Sequence, residues 1–400
     1  MKTNALVMYI LAIGLPGFQQ IIAQPSPVLE AYIETGLNNN LALQQHEIDL
    51  QQSREALRQA RSLFYPAVQF NASYTRATGG RSIAITVGET YLGVSYPLFN
   101  SDLKYNRQIK EHVVRSKSAQ KAAYEHELRY RITEAYLQYL QTLEAAKIWE
   151  QSLVTLRELR RFNQSLVDNQ VATREVVATA DYELSKAEHE LYTLERRQNT
   201  ARAYFNFLLN QNLQEPVAAD TSLLRRGVRA YEQTDMIQNA LQNRRELDAL
   251  QAGQAAAESA LKLNEAKRYL PEAYLGGQLG FQGFGYKFNG DQAYGLVQVG
   301  LRYTIFNGGE TGAKTQQARL ESEKLRQQYG EAQQQIALQV TQAWNELETA
   351  RNAWTTAQNG RRAAEESFRI VNNKYRAGQA LLLEFIDAET VLNAHAECEH

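Results

Sequence analysis

The sequence predicts a mainly α-helical protein with a small β part, organised as two tandem structural repeats. Three observations indicate this fold class. Residues 102–167 contain neither proline nor glycine, and from Leu128 to Leu156 they contain a seam of apolar residues, with Thr142 as its weak member, in alternating steps of four and three, which is coiled-coil spacing. Four shorter runs alternate apolar and polar residues, as strands do. The order of helix and strand signals then occurs twice along the chain.

Charge and cysteine content exclude several classes of protein. The 400 residues include 43 basic and 44 acidic side chains, so the net charge gives no argument for a nucleic-acid partner. A single cysteine excludes an internal disulfide framework. His395, Cys398 and His400 lack a fourth ligand, so no metal site is expected there.

Residues 1–23 have the pattern of a secretory signal peptide. Lys2 precedes an apolar stretch from Ala5 to Leu15, and Ala23 is a suitable small residue at the cleavage point. The apolar stretch is shorter than the ~20 residues that a membrane-spanning helix needs. The alternative is a buried N-terminal helix. No cysteine follows the stretch, so a lipid anchor is not expected.

The first repeat is predicted over residues 24–214. A helix over about 28–63 ends before Pro66, because proline cannot continue a helix. The elements that follow are strands at about 67–77 and 83–99, the long helix over 102–167, and a return helix over 174–209.

A linker over 215–235 leads to the second repeat, residues 236–400. Pro271 ends its first helix as Pro66 does, and Phe162 recurs as Phe368, 206 residues later. Its elements are strands at about 273–286 and 292–306, a long helix over 311–375, and a return helix from 381 that stops at His400 and is expected to be truncated or altered.

Each predicted strand has one apolar side and one small polar side. The strands have about the ~9–11 residues that cross a bilayer as a tilted strand, which predicts a barrel with lipid outside and water inside. A half-buried soluble sheet is the alternative. Since the smallest such barrels use about eight strands, four strands cannot close one, and several copies must share it. Tyr74, Tyr91 and Tyr96 are expected at the membrane interface.

The ordered combination of these features resembles the outer membrane efflux protein (TolC-like) family over about residues 28–394. The features are the duplicated unit, the two strands per unit, the prolines before them, and Leu381 to Ala388 following Tyr375-Arg-Ala-Gly378. The resemblance implies a homotrimer whose strands form one β-barrel in outer membrane lipid and whose long coiled-coil helices form an α-barrel across the periplasm.

The function that the resemblance implies is transport through a passive exit duct, not an enzyme, and without a cofactor. Its partners would be a periplasmic adaptor (membrane fusion) protein and an inner-membrane transporter of a tripartite efflux pump. Two alternatives remain: an exit channel for polypeptides in type I secretion, and a secreted coiled-coil scaffold. No phosphate loop, dinucleotide-binding glycine pattern, zinc-protease helix or nucleophile elbow occurs in the sequence.

The resemblance also places a gate at the inner tip of the α-barrel. Carried over by position, the gate and pore residues are Glu384, Asp387, Tyr375 and Asp181, and the helix-turn tip carries Gly378 and Arg376.

Glu384 and Asp387 share one helix face because they are three residues apart. On a threefold axis they would form two stacked carboxylate rings that favour cations. The alternative is an ordinary solvated helix face. The family's basic residue and its first-repeat acid fall on Ala380 and Ala178, so the closed-state network is expected to be weaker or differently connected.

Overall fold

The computed structural model describes residues 26–78, 84–225, 231–285 and 288–399. The predicted signal peptide over 1–23 lies outside the described residues, as does His400. The described part confirms a mainly helical fold with a small sheet. Its elements are α1 (Pro27–Asn39), α2 (Leu41–Ser62), β1 (Ala67–Thr78), β2 (Ala84–Phe99), α3 (Ser101–Asp168), α4 (Glu175–Leu208), α5 (Gln233–Asn243), α6 (Arg245–Tyr269), β3 (Glu272–Phe284), β4 (Ala293–Arg302), α7 (Glu310–Arg376) and α8 (Leu382–Glu399).

The helix predicted over 28–63 is broken at Asn40, which has an extended backbone. The side-chain oxygen of Asn40 accepts hydrogen bonds from the backbone N–H groups of Ala42 and Leu43, and so caps α2. Its amide nitrogen donates to the Leu208 carbonyl at 2.9 Å. The structure therefore has two helices, α1 and α2, where the sequence predicts a single continuous one.

The strand predicted over 292–306 ends earlier in the structure, because β4 ends at Arg302. Arg302 pairs with Glu272, which is the first residue of β3, so β3 offers no strand partner for the residues that follow. The Tyr303 hydroxyl instead donates to the Arg268 carbonyl at 3.0 Å. Gly308 and Gly309, both with positive φ, then lead the chain into α7.

The described chain divides into two compact units. The helical unit comprises 26–44, 123–225, 231–244 and 334–399, and the sheet unit comprises 45–78, 84–122, 245–285 and 288–333.

Two apolar clusters stabilise the helical unit. In the first, the rings of Tyr32, Tyr136 and Phe205 pack together with centroids 5.0–5.8 Å apart. The Tyr136 hydroxyl donates to the Ala218 carbonyl and accepts the Asp220 N–H, which ties the segment after α4 to these helices. The second cluster joins α3, α4, α7 and α8 through buried residues: Leu153, Leu156, Leu159, Ala180, Ala187, Tyr375 and Phe385.

The predicted coiled-coil seam of α3 is buried at both ends but only partly in its middle. Leu128 and Ile132 are fully buried, and Leu153 and Leu156 are almost fully buried. Residues 142–149 include the partly exposed Trp149. The weak seam position at 142 thus coincides with the gap between the two apolar clusters.

The sheet unit contains one antiparallel sheet with strand order β1-β2-β3-β4. In register, Phe70 faces Leu92, Leu92 faces Leu279, and Leu275 faces Val299, so most apolar residues of the four strands share one face. That face is exposed, and includes Val68, Phe70, Leu92, Val94, Leu279, Val297, Val299 and Leu301. Within the described residues, the outer edges of β1 and β4 are unpaired. No described helix is both long and apolar enough to span a bilayer.

Candidate functional site

The turn between α7 and α8 is closed by Gly378, whose φ of +70° is left-handed. The Gly378 N–H donates to the Tyr375 carbonyl at 3.0 Å, and the Gln379 N–H donates to the Lys374 carbonyl at 2.8 Å. These two bonds form a Schellman motif, which satisfies carbonyls at the end of α7. Glycine adopts this backbone conformation without the steric cost of a Cβ atom. The left-handed backbone that this turn needs therefore explains why a glycine lies at position 378.

The turn between α3 and α4 repeats this motif with Gln170 in the left-handed position, at φ 59°. The Gln170 N–H donates to the Val167 carbonyl and the Val171 N–H donates to the Leu166 carbonyl. Gln170 and Gly378 are 208 residues apart. The spacing of 206 seen in the sequence is therefore not the structural spacing at these turns.

The spacing assumed between the two repeats decides which acidic residues of the first repeat correspond to which of the second. A spacing of 206 relates Asp181 to Asp387, whereas the spacing of 208 between the turns relates Asp181 to Glu389. Asp181 is partly exposed, and Glu389 is only 7% exposed. One repeat thus has a surface acid where the other has a buried one.

Tyr375 lies in the interior of the helical unit. Its hydroxyl donates to the Asn163 side-chain oxygen at 2.7 Å, and its ring packs on Phe162 and Phe385. Asn163 is fully buried and donates to the Val176 carbonyl at 2.9 Å. Burial raises the pKa of Tyr375. Tyr375 therefore links α7 to α3, and Asn163 extends that link to the first turn of α4.

Sequence reasoning missed Asn163. The available signal is an amide among the apolar residues of α3, directly after Phe162. A buried polar side chain at such a position must find hydrogen-bond partners, because leaving it unpaired is costly.

Glu384 and Asp387 are both exposed near the start of α8. The Glu384 carboxylate accepts the Leu381 N–H at 2.9 Å, which is the bond that the third residue of a helix makes in a capping box. Asp387 follows one turn later on the same face. The structure thus brings the two predicted carboxylates to one exposed face, and adds a capping role for the first.

The other two predicted site residues form ion pairs with α3. Asp181 accepts a hydrogen bond from the guanidinium of Arg160. Arg376 lies 3.4 Å from the Glu158 carboxylate. Both pairs are about half exposed, so each contributes roughly 0–1 kcal/mol and is weakened by salt.

Glu389 is a second residue that sequence reasoning missed. The Ser152 hydroxyl donates to one carboxyl oxygen of Glu389, and the Asn393 amide donates to the same oxygen at 2.7 Å. The Asn393 amide also lies 3.1 Å from the Ser152 hydroxyl. Burial raises the pKa of Glu389, with a smaller opposing effect from these hydrogen bonds. This cluster connects α8 to α3.

The site therefore has two layers. Buried polar links, Asn163–Tyr375 and Ser152–Glu389, join α3 to α7 and α8. Exposed carboxylates and ion pairs surround them. Among the described side chains, no group of three or more His, Cys, Asp or Glu residues is arranged to hold a metal ion. The geometry presents carboxylates on the exposed faces of helices that an apolar cluster and these buried polar links hold together.

The comparison with protein families gives one match. The model of the family described as "Outer membrane efflux protein" matches residues 32–211 and 236–397, which is most of the chain. No curated protein sequence matches the chain significantly.

Solved structures share the fold. The chain is similar to a membrane protein from Pseudomonas aeruginosa with a TM-score of 0.84 and 18% identity, covering 94% of this chain and 89% of that one. It is similar to the open state of the MtrE outer membrane channel of Neisseria gonorrhoeae, with a TM-score of 0.81 and 20% identity over 93% and 85% of the two chains. The outer membrane protein VceC of Vibrio cholerae has a TM-score of 0.80 and 17% identity over 93% and 91%.

Proposed function

Because the chain belongs to the outer membrane efflux protein family, we propose that it is the outer-membrane exit channel of a tripartite efflux pump. The channel is a passive duct for small molecules and not an enzyme. An inner-membrane transporter supplies the cargo and the energy, and a periplasmic adaptor protein connects the two.

The observation that carries this proposal is the open four-stranded sheet with one exposed apolar face. An isolated soluble sheet would leave that face and both edge strands in water, which favours aggregation. A lipid bilayer covers the apolar face, and further copies of the chain pair the edges of β1 and β4. Since β1 and β4 run antiparallel, three copies close a barrel of twelve strands with continuous antiparallel pairing.

The long helices supply the rest of the duct. With 68 residues, α3 has a contour length of roughly 100 Å at ~1.5 Å per residue. We place α3, α4, α7 and α8 in the periplasm, where they form the wall of an α-barrel.

We place the gate at the turns that end α3 and α7. In a trimer, Glu384 and Asp387 form carboxylate rings around the axis, and such rings attract cations. Tyr375 and Asp181 hold the neighbouring helices through their bonds to Asn163 and Arg160. The turn at Gly378, with Arg376 beside it, is the surface that meets the adaptor.

The test is expression of the full chain in a Gram-negative host, followed by fractionation, sizing in detergent and recording in planar bilayers. We expect a trimer in the outer membrane fraction that conducts ions. A monomer in the soluble periplasmic fraction without conductance would favour the secreted scaffold and overturn the proposal.

A further inference from the structure

Glu389 is a buried acid on α8, the helix that also carries the two carboxylates of the proposed gate. It is 7% exposed, whereas Glu384 and Asp387 lie on the surface. An ionised carboxylate in the interior of a protein is costly unless a cation or several donors compensate its charge. The surroundings of Glu389 therefore determine in which charge state this part of α8 can stay in place.

Glu389, Ser152 and Asn393 form a closed triangle of hydrogen bonds. The Ser152 hydroxyl and the Asn393 amide both donate to one carboxyl oxygen of Glu389, and the same amide also donates to the Ser152 hydroxyl at 3.1 Å. Both donors to the carboxyl are neutral. Because they share one oxygen, the other oxygen can carry a proton. Since Ser152 lies on α3, the triangle attaches α8 to α3 and suits a protonated carboxyl.

Charged groups on the neighbouring helices pair with one another. On α4, Lys186 lies 3.5 Å from Glu183, and these two residues are the charges that act on Glu389. On α3, the buried Glu144 lies about two turns before the triangle and pairs with Lys147 at 2.7 Å. Deprotonation of Glu389 would thus place a negative charge in the interior without a cation of its own.

His395 is the titratable group through which α8 contacts α7. Its ring lies against Gly360, where an added Cβ atom would come within 2.5–3.1 Å of three ring atoms. Beside Gly360, Arg361 pairs with Glu365 at 2.8 Å. A proton effect on α8 can therefore arise at two buried or half-buried positions, and the experiment has to separate them.

The apolar packing of α8 is confined to its start. Among the described residues, the second apolar cluster includes Phe385 of α8 and no residue after it. The triangle is therefore the attachment of the following turns to α3. Without it, α8 can tilt about Phe385, and Asp387 on the exposed face moves with the helix.

Proton binding and the attachment of α8 are linked. Burial raises the pKa of Glu389, and the bonds from Ser152 and Asn393 lower it by less. When α8 tilts away from α3, water reaches the carboxyl and its pKa returns toward its ordinary value of about 4.5. The attached position thus binds the proton more tightly. It is favoured at low pH and loses this advantage as pH rises through the raised pKa.

We propose that Glu389 is a positioning residue of the gate: when protonated it holds α8 on α3 and keeps the rings of Glu384 and Asp387 narrow, and when deprotonated it releases α8 and the channel opens. The inference rests on the proposed function, because these carboxylates surround an axis only in the trimeric channel. It adds a proton-controlled state to a passive duct, so that an acid periplasm keeps the outlet shut.

The experiment measures the ratio of open to closed channels for the full-length protein in planar bilayers while the pH on the periplasmic side is raised. We expect this ratio to rise about tenfold for each pH unit between 4.5 and the raised pKa of Glu389. Glu389→Gln keeps a hydrogen-bonding oxygen but cannot ionise, so it should hold the ratio at its low-pH value throughout. Glu384→Gln/Asp387→Asn and His395→Gln are the controls, and both should keep the rise.

Other outcomes separate this inference from the proposed function. A wild-type protein without conductance at any pH overturns the channel and its proton control together. A conducting wild type whose ratio does not depend on pH overturns the proton control alone, as does the same rise in Glu389→Gln or the loss of the rise in either control variant.

If Glu389→Gln does not insert into the bilayer, Ser152→Ala provides the second test. The lost hydroxyl is a donor that lowers the pKa of Glu389, so its removal raises that pKa further and the rise should extend to higher pH. A rise over the same pH range as in the wild type contradicts the proposal.

Discussion

The hydroxyl of Tyr375 donates to the buried side-chain oxygen of Asn163, 212 residues earlier in the chain. This bond joins the last turn of α7 to α3 within one protomer, and Asn163 continues to the Val176 carbonyl at the start of α4. One buried amide thus links three helices that reach the proposed gate.

Replacing Tyr375 with phenylalanine should weaken the proposed gate. The ring and its packing remain, but the Asn163 oxygen loses its donor, at a cost of about 1–3 kcal/mol for an unsatisfied buried group. We expect a lower unfolding temperature and a larger mean conductance in planar bilayers. Tyr182→Phe, at a tyrosine that is 67% exposed, is the control. Equal values for both variants would show that the Tyr375 bond does not restrain the helices.

The Glu384→Gln/Asp387→Asn variant should lower the preference of the channel for cations. Neutral amides remove the negative charge, while glutamine can still accept the Leu381 N–H and cap α8. Reversal potentials in a salt gradient and block by multivalent cations measure the effect. Glu366→Gln, at an exposed acid paired with Arg369, is the control. Unchanged selectivity in the double variant would remove these residues from the proposed gate.

Adding or removing a glycine should change stability in a direction that the local backbone conformation sets. Gly378→Ala places a Cβ atom at positive φ and should destabilise by about 1 kcal/mol, whereas Gln170→Gly relieves the same strain. Gly330→Ala, inside α7 with no atom within 4 Å of the added Cβ, should stabilise by about 0.5–1 kcal/mol. Thermal unfolding in detergent compares the three. A stabilising Gly378→Ala would contradict the Schellman turn.

Glu389 should make stability depend on pH. Its pKa is raised by burial, so folding favours the protonated carboxyl. The stabilising contribution is fully present below the ordinary pKa of about 4.5 and is lost as pH rises through the raised value. We expect the unfolding temperature to fall over that window in the wild type.

Glu389→Gln should remove this part of the pH dependence, because glutamine keeps a hydrogen-bonding oxygen without titrating. Glu323→Gln is the control: the bond from Arg326 lowers the pKa of Glu323, which gives the opposite sign. Identical pH profiles for the wild type and Glu389→Gln would show that the Ser152–Glu389–Asn393 cluster does not titrate in this range.

The sequence by itself determined which segments are helices and which are strands, because both periodicities arise from neighbouring residues. Pro66 and Pro271 end helices for a local reason, and Gly378 marks a turn for another. The alternation of apolar and polar residues along each strand is also local information. It contributed to the family resemblance, which the family model confirms.

Tertiary structure alone decided the contacts that define the site. Asn163 finds Tyr375 across 212 residues, and Ser152 finds Glu389 across 237. The spacing of 208 between the turns, rather than 206, likewise appears only when backbone hydrogen bonds are compared. Asn40 caps α2 through local bonds to its side-chain oxygen, but its amide contact with Leu208 is seen only in the tertiary structure. Periodicity specifies which face of a helix is buried, but the packing of distant helices determines which buried polar groups meet.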